Sequence, residues 1–205
     1  MTTNKIELKD IVTCIENLNR IPDKHQWKTT TSKLFKVNLL QFLSNRNKIK
    51  WIELGSAQGH TTLILSSIAD TVVSVDFDDE NCKKIEDLGM SNVTTKSFDL
   101  YSTDFEDYMK ESKFNAAFID AIHDEEHVNI DIKNCRNAGV ELFVFDDYGG
   151  FQGVRSAVDN FITRLENDNV KHHVTYVGMY PGGVYENTHY KILQNWEGII
   201  VELAK

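Results

Sequence analysis

Three aspartates stand where short apolar runs end. Phe118-Ile119 leads into Asp120, and Phe143-Val144-Phe145 leads into Asp146 and Asp147, 26 positions after Asp120. As neighbouring strands of an open α/β sheet, these runs would place their ends along a ligand crevice. Three carboxylates gathered there repel one another unless a proton or a cation neutralises them. Oxygen donors suit Mg²⁺, Mn²⁺ or Ca²⁺ and leave positions for water and substrate oxygens. Consecutive strand residues point to opposite faces, so Asp146 and Asp147 can both turn inward only where strand gives way to loop. The competing reading makes Asp146 and Asp147 caps of a helix beginning near Gly153, with Asp120 a solvated loop residue.

His123 has two roles open to it. Its ordinary pKa near neutrality suits a general base, and its position three residues after Asp120 suits a hydrogen bond that orders the loop. His123-Asp124-Glu125-Glu126-His127 also approaches a zinc-hydrolase motif, but Asp124 stands where that chemistry needs glutamate, and the reading is set aside.

A second stretch, Ile52-Glu53-Leu54-Gly55-Ser56-Ala57-Gln58-Gly59-His60, ends a strand, turns through two glycines and opens a helix. Gly55 allows a tight turn, and Gly59 brings the helix start close to a ligand. The spacing is E-x-G-x-x-x-G rather than the G-x-G-x-x-G of dinucleotide loops, and no P-loop lysine is present. Glu53 suits a cationic or zwitterionic ligand better than a pyrophosphate. Asp76, 21 positions beyond Gly55 at the end of the next strand, can accept the hydroxyls of a ribose. Asp99 follows a third strand and can receive an adenine amino group beside the Phe98 ring.

With these acids in register, residues 50–203 resemble the class I S-adenosylmethionine-dependent methyltransferases. The resemblance implies that Glu53, Gly55, Ser56 and Gly59 form the glycine-rich first motif, that Asp76 binds ribose, and that Phe98 and Asp99 lie against adenine. Asp120-Ala121-Ile122-His123 with Val128 and Asp131, followed by Asp146-Asp147-Tyr148 with Gly153-Val154, looks like the metal-dependent branch that methylates sugar hydroxyls of natural products. Catechol-type relatives, with Asp-Asn in place of Asp146-Asp147, are less similar. This branch implies Mg²⁺ or Mn²⁺ on Asp120, Asp146 and Asp147, a catalytic step involving Asp120 and His123, and O-methylation of a hydroxylated small molecule. Two alternatives stay open: a metal-independent N- or O-methyltransferase, and a non-catalytic S-adenosylmethionine-binding subunit.

The elements that must hold these residues follow from the apolar pattern. Strands are expected at Trp51–Leu54, Val72–Val75, Val93–Phe98, Phe114–Ile119 and Leu142–Phe145, alternating with helices that Asp78 or Asp79 and Asp124 cap. Gly89 and Gly139 stand where helices end. His172–Val177, Tyr190–Leu193 and Ile199–Leu203 read as closing strands, antiparallel in part. The fold class is therefore α/β, a Rossmann-like, mostly parallel methyltransferase sheet with an antiparallel C-terminal strand. Two N-terminal helices, 5–19 and 32–44, divide the chain into a helical appendage at 1–48, a lid or homodimer contact, and a cofactor-binding unit at 49–205. His25-Gln26-Trp27 between those helices is a lid or a core anchor, Tyr180–Tyr185 a substrate wall or plain turn, and His172-His173 structural.

The 205 residues, 41% apolar, suffice for one core. A formal charge of −9 disfavours nucleic acid as partner. Cys14, Cys82 and Cys135, odd in number and without a C-x-x-C pair, are expected to be reduced thiols. No segment reads as a membrane span or a leader, so a cytoplasmic location is expected.

Overall fold

A computed structural model describes residues 5–21, 31–179 and 195–204. Among these residues, seven strands form one sheet: β1 (Lys50–Leu54), β2 (Thr71–Asp76), β3 (Val93–Ser97), β4 (Ala116–Ile119), β5 (Leu142–Phe145), β6 (His172–Val177) and β7 (Gly198–Leu203). Their order is β3-β2-β1-β4-β5-β7-β6. The pairs among β1 to β5 are parallel, and β7 runs antiparallel to both β5 and β6. This is the expected mostly parallel sheet with a reversed C-terminal strand. The expected strand at Tyr190–Leu193 lies outside the described residues, as do His25, Gln26, Trp27 and Tyr180–Tyr185.

Among the described residues, seven helices surround the sheet: α1 (Leu8–Arg20), α2 (Lys33–Leu43), α3 (His60–Ile68), α4 (Asp79–Glu86), α5 (Thr103–Glu111), α6 (Glu125–Asn137) and α7 (Gln152–Asn167). Strands β4 and β5 are apolar at every position because both faces are covered. Phe105, Met109, Val128, Ile132, Val158 and Phe161 of α5, α6 and α7 pack on one face against Ile52, Ile119 and Phe145. Cys14, Leu18, Phe35, Leu39 and Ile64 of α1, α2 and α3 pack on the other against Trp51, Phe118 and Val144. The two N-terminal helices thus share one apolar layer with α3.

Local signals explain the helix starts. Asp78 accepts a hydrogen bond from Glu80 N (2.8 Å), and Asp124 from His127 N (3.0 Å), which satisfies first-turn donors. Gly89 and Gly139 follow α4 and α6 in the left-handed region. Helix α7 begins at Gln152 with Phe151 as its N-cap and no side-chain cap, so neither Asp146 nor Asp147 performs that task. All three cysteines are buried free thiols. Among the described residues no helix is long and apolar enough to cross a membrane.

Candidate functional site

The carboxyl ends of β1 to β5 gather the acids that the sequence singled out. Side chains alternate along each strand, which puts Trp51 and Glu53 on the face toward α2 and α3 and Ile52 and Leu54 on the opposite one. Glu53 is fully buried. Its Oε2 accepts hydrogen bonds from Thr62 Oγ1 (2.6 Å) and from Ser74 Oγ on the neighbouring strand (2.7 Å). Burial lifts its pKa to about 7 against those two hydrogen bonds. Its Oε1 and the buried Ser56 Oγ find no partner among the described residues. Both sit at the glycine loop.

That loop depends on its glycines. Gly55 has φ +83°, and a Cβ there would lie 2.1 Å from the backbone oxygen of Asp120. Gly59 has φ +74° and forms the N-cap of α3, with space for a Cβ closed by Ile85. Left-handed backbone and close approach both exclude larger residues.

Asp76 ends β2 and is nearly buried. Its Oδ2 accepts from the backbone N–H groups of Ser56 (3.2 Å) and Ala57 (2.8 Å), its Oδ1 from Asp78 N (3.0 Å) and Asn81 Nδ2 (3.3 Å). A carboxylate has about four lone-pair sites, and four N–H donors address them here. Asp76 therefore shapes the glycine loop directly, a task its spacing in the sequence did not reveal. The next residue, Phe77, is 79% exposed and is a large apolar face that sequence reasoning missed. Phe98 lies half-buried, stacked on Tyr108 with ring centroids 5.3 Å apart. Asp99 is exposed and accepts from Tyr101 N (3.0 Å) in a local turn.

Across the crevice, His123 Nε2 stands 3.3 Å from Asp120 Oδ1 and 3.3 Å from Asp147 Oδ2. Asp147 reaches this point because its backbone is left-handed, φ +57°, which breaks the alternation of β5. Burial lowers the pKa of His123, but the hydrogen bond to Asp120 and the charges of Asp147 and Asp120 outweigh it and raise the value. The Phe151 ring stacks on the imidazole at 4.3 Å. Gly153, which the sequence put in the helix, packs so closely that a Cβ would meet His123 O at 2.4 Å. His127 goes elsewhere: its Nδ1 pairs with Asp124 Oδ2 at 2.6 Å and its ring meets Tyr101. The two histidines of the zinc-like motif thus have separate partners.

Among the described residues, Asp120, His123 and Asp147 offer ligand atoms all within 4.8 Å of one another. The sequence had named Asp146 with Asp120 and Asp147. Asp146 is instead buried and leaves Oδ1 without a partner among the described residues. Burial, then the charges of Asp147, Asp120 and Glu197, push its pKa well up.

Two further charged residues stand behind these acids and were missed in the sequence. Lys36 of α2 and Glu197, just before β7, are 1% and 2% exposed. The available signal was the position of Lys36 on the stripe of Leu39, Leu40 and Leu43, where an apolar residue belongs.

No protein-family model matches the sequence, and no curated protein matches it. Solved structures do match the fold. A precorrin-6y C5,15-methyltransferase from Geobacter metallireducens superposes with a TM-score of 0.59 at 15% identity, covering 89% of this chain and 97% of that one. A candidate O-methyltransferase from Klebsiella pneumoniae gives 0.58 at 12% identity, covering 96% and 90%. A tRNA (m1A58) methyltransferase from Aquifex aeolicus gives 0.58 at 15% identity, covering 94% and 76%. With strand order, glycine loop and strand-end acids in place, the chain has the fold of the class I S-adenosylmethionine-dependent methyltransferases.

Proposed function

We propose that the protein is an S-adenosylmethionine-dependent methyltransferase acting on a hydroxyl group of a small molecule, assisted by a divalent cation. The convergence of Asp120, His123 and Asp147 one peptide away from the glycine loop carries this reading. Glu53 Oε1 and Ser56 Oγ, buried and unpaired among the described residues, fit the ammonium and polar groups of the amino-acid part of the cofactor. A ribose diol would reach Asp76 by replacing its longer contacts, those from Asn81 and Ser56, while Phe77 and Phe98 offer apolar faces to the base and Asp99 an acceptor. When bound, the cofactor supplies a methyl group on a sulfonium.

Asp120 Oδ1, His123 Nε2 and Asp147 Oδ2 form a mixed oxygen and nitrogen donor set, which suits Mn²⁺ better than Mg²⁺. When bound there, the cation would lower the pKa of an acceptor hydroxyl. Phe151 fixes the plane of the imidazole, and the two carboxylates fix the direction of Nε2. A second reading rests on the same geometry: without a cation, His123 Nε2 takes the hydroxyl proton, and Asp120 and Asp147 stabilise the imidazolium. Nucleic acid is disfavoured as acceptor by the acidic balance of the chain.

Two measurements test the reading. Calorimetry should detect S-adenosylhomocysteine and not NAD; the reverse result would end the methyltransferase assignment. Turnover of hydroxylated acceptors should stop when the enzyme is stripped with EDTA and return with Mn²⁺. Full turnover after stripping would favour His123 as base.

A further inference from the structure

The turn that leads from Asp147 into α7 carries two aromatic residues with different partners. Phe151, the N-cap of α7, stacks on His123. Tyr148, the residue after Asp147, turns instead toward the closing strands, its ring centroid 6.0 Å from that of Tyr176. Tyr148 is buried and its polar tip is engaged: Oη donates to Asp159 Oδ1 of α7 (2.6 Å), and the Arg155 guanidinium lies 5.8 Å from the ring.

Register fixes where Tyr176 stands. Tyr176 of β6 is opposite Ile199 of β7, and Ile199 is opposite Phe145, the last residue of β5. Directly paired residues share a face of the sheet, so Tyr176 emerges on the face that α7 covers, level with the end of β5. Ile199 and Phe145 are fully buried there, whereas Tyr176 is 44% exposed. Trp196, 38% exposed, stacks on it with centroids 5.7 Å and planes 19° apart, within the range of an offset pair. The same turn holds Trp196 in place through its neighbour, because Gly149 N donates to the backbone oxygen of Glu197 (3.4 Å). Two aromatic rings thus continue outward from the loop of the candidate site.

Exposed apolar side chains standing singly need no explanation, but two stacked rings left open beside a strand-end crevice do. The apolar faces offered to the cofactor's base, Phe77 and Phe98, follow β2 and β3. By the strand order, β6 lies five strand spacings from β2, about 24 Å at about 4.8 Å each. A base held at β2 and β3 leaves the β6–β7 end to the other reactant. We propose that Tyr176 and Trp196 form a stacking platform for a flat, unsaturated ring of the acceptor, distinct from the hydroxyl that reacts, and select acceptors by that ring. That the ring belongs to a methyl acceptor rests on the proposed function; the ring-binding surface does not.

Phenyl and cyclohexyl β-glucosides, similar in size but different in flatness, serve as probes. Their binding to the full chain can be followed by ligand-observed magnetic resonance, with and without S-adenosylhomocysteine. The wild type should bind the phenyl compound about threefold to tenfold more tightly, the worth of one stacked ring pair beyond its buried area. Tyr176→Ala and Trp196→Ala should each remove that preference and change S-adenosylhomocysteine affinity by less than about twofold. Trp196→Phe, which keeps a ring in the stack, should retain the preference. Where Tyr176→Ala does not fold, Trp196→Ala, outside the strands, decides.

Equal affinity for the two glucosides, or none for either, would overturn the proposal, as would a preference that survives both alanine variants. A wild type that sediments as a dimer and a Trp196→Ala variant that sediments as a monomer would give this face to a second copy instead. Ring preference without S-adenosylhomocysteine binding would end the methyltransferase reading and uphold the platform.

Discussion

On the β1–β3 side of the crevice, Asp76 is held by four N–H donors and Glu53 by two hydroxyl groups. On the β4–β5 side, Asp120 and Asp147 face a shared imidazole, and the buried Lys36 lies within electrostatic reach of Asp146 and Asp120. The first side organises its acids with dipoles that the local chain supplies, the second with charges brought from afar. Dipoles fixed in a turn cannot leave, so they suit a surface that must present one shape to a ligand. Charges can be exchanged for other charges, so they suit a place where a cation or a proton arrives. Under the proposed activity, the contrast gives recognition to one side and chemistry to the other.

The largest expected effect breaks the first side. Asp76→Ala would strand the backbone N–H groups of Ser56, Ala57 and Asp78, at about 3 kcal/mol or more in total. The thermal midpoint should fall by roughly 6–12 °C, and S-adenosylhomocysteine binding should weaken with it. A variant that melts like the wild type would show that the loop does not depend on this acid.

A second effect concerns pH. The pKa of Glu53 is raised in the folded state, to about 7 from an ordinary 4.5. Its carboxyl therefore adds stability that is fully present below about pH 4.5 and is lost as the pH rises through about 7. Melting curves from pH 4 to 8 should show the wild type losing stability across this window. Glu53→Gln, which keeps an oxygen for Thr62 and Ser74, should lose less, by on the order of 2–3 kcal/mol. Parallel curves for the two proteins would mean that the hydroxyl groups hold Glu53 ionised as firmly as water does.

The smallest effect sharpens the recognition side. Asp99 is exposed and the hydrogen bond its side chain accepts from Tyr101 N is local, so Asp99→Ala should cost under about 1 kcal/mol of stability. Its affinity for S-adenosylhomocysteine should nevertheless drop by up to about tenfold, the value of one hydrogen bond. Unchanged affinity would remove the adenine from this residue.

What the sequence disclosed follows the same division. Strand ends and helix caps announce themselves by short-range pattern: the run before Asp76, the Asp78 and Asp124 caps, the two-glycine turn. The reversed strand was legible in the apolar Ile199–Leu203. Sorting Asp146 from Asp147 was not, because it turns on one left-handed residue that is not glycine. Lys36 and Glu197 were hidden for a different reason. They lie 161 positions apart and become partners in one cluster only when α2 packs against the start of β7. A lysine inside an apolar stripe was the visible trace, and its significance depends on tertiary contacts that no local spacing encodes.

Where Gly55 rests on the peptide of Asp120, no side chain separates the two sides. The contact works as a gauge block. Under the proposed activity, the loop bearing the methyl donor and the strand end bearing the acceptor are spaced by two peptide planes, which neither hop between rotamers nor titrate. Reacting groups displaced by about 1 Å can lose 10²-fold in rate. Setting that separation with backbone alone makes the reaction distance a property of the chain's covalent dimensions, insensitive to pH, salt and the identity of the acceptor.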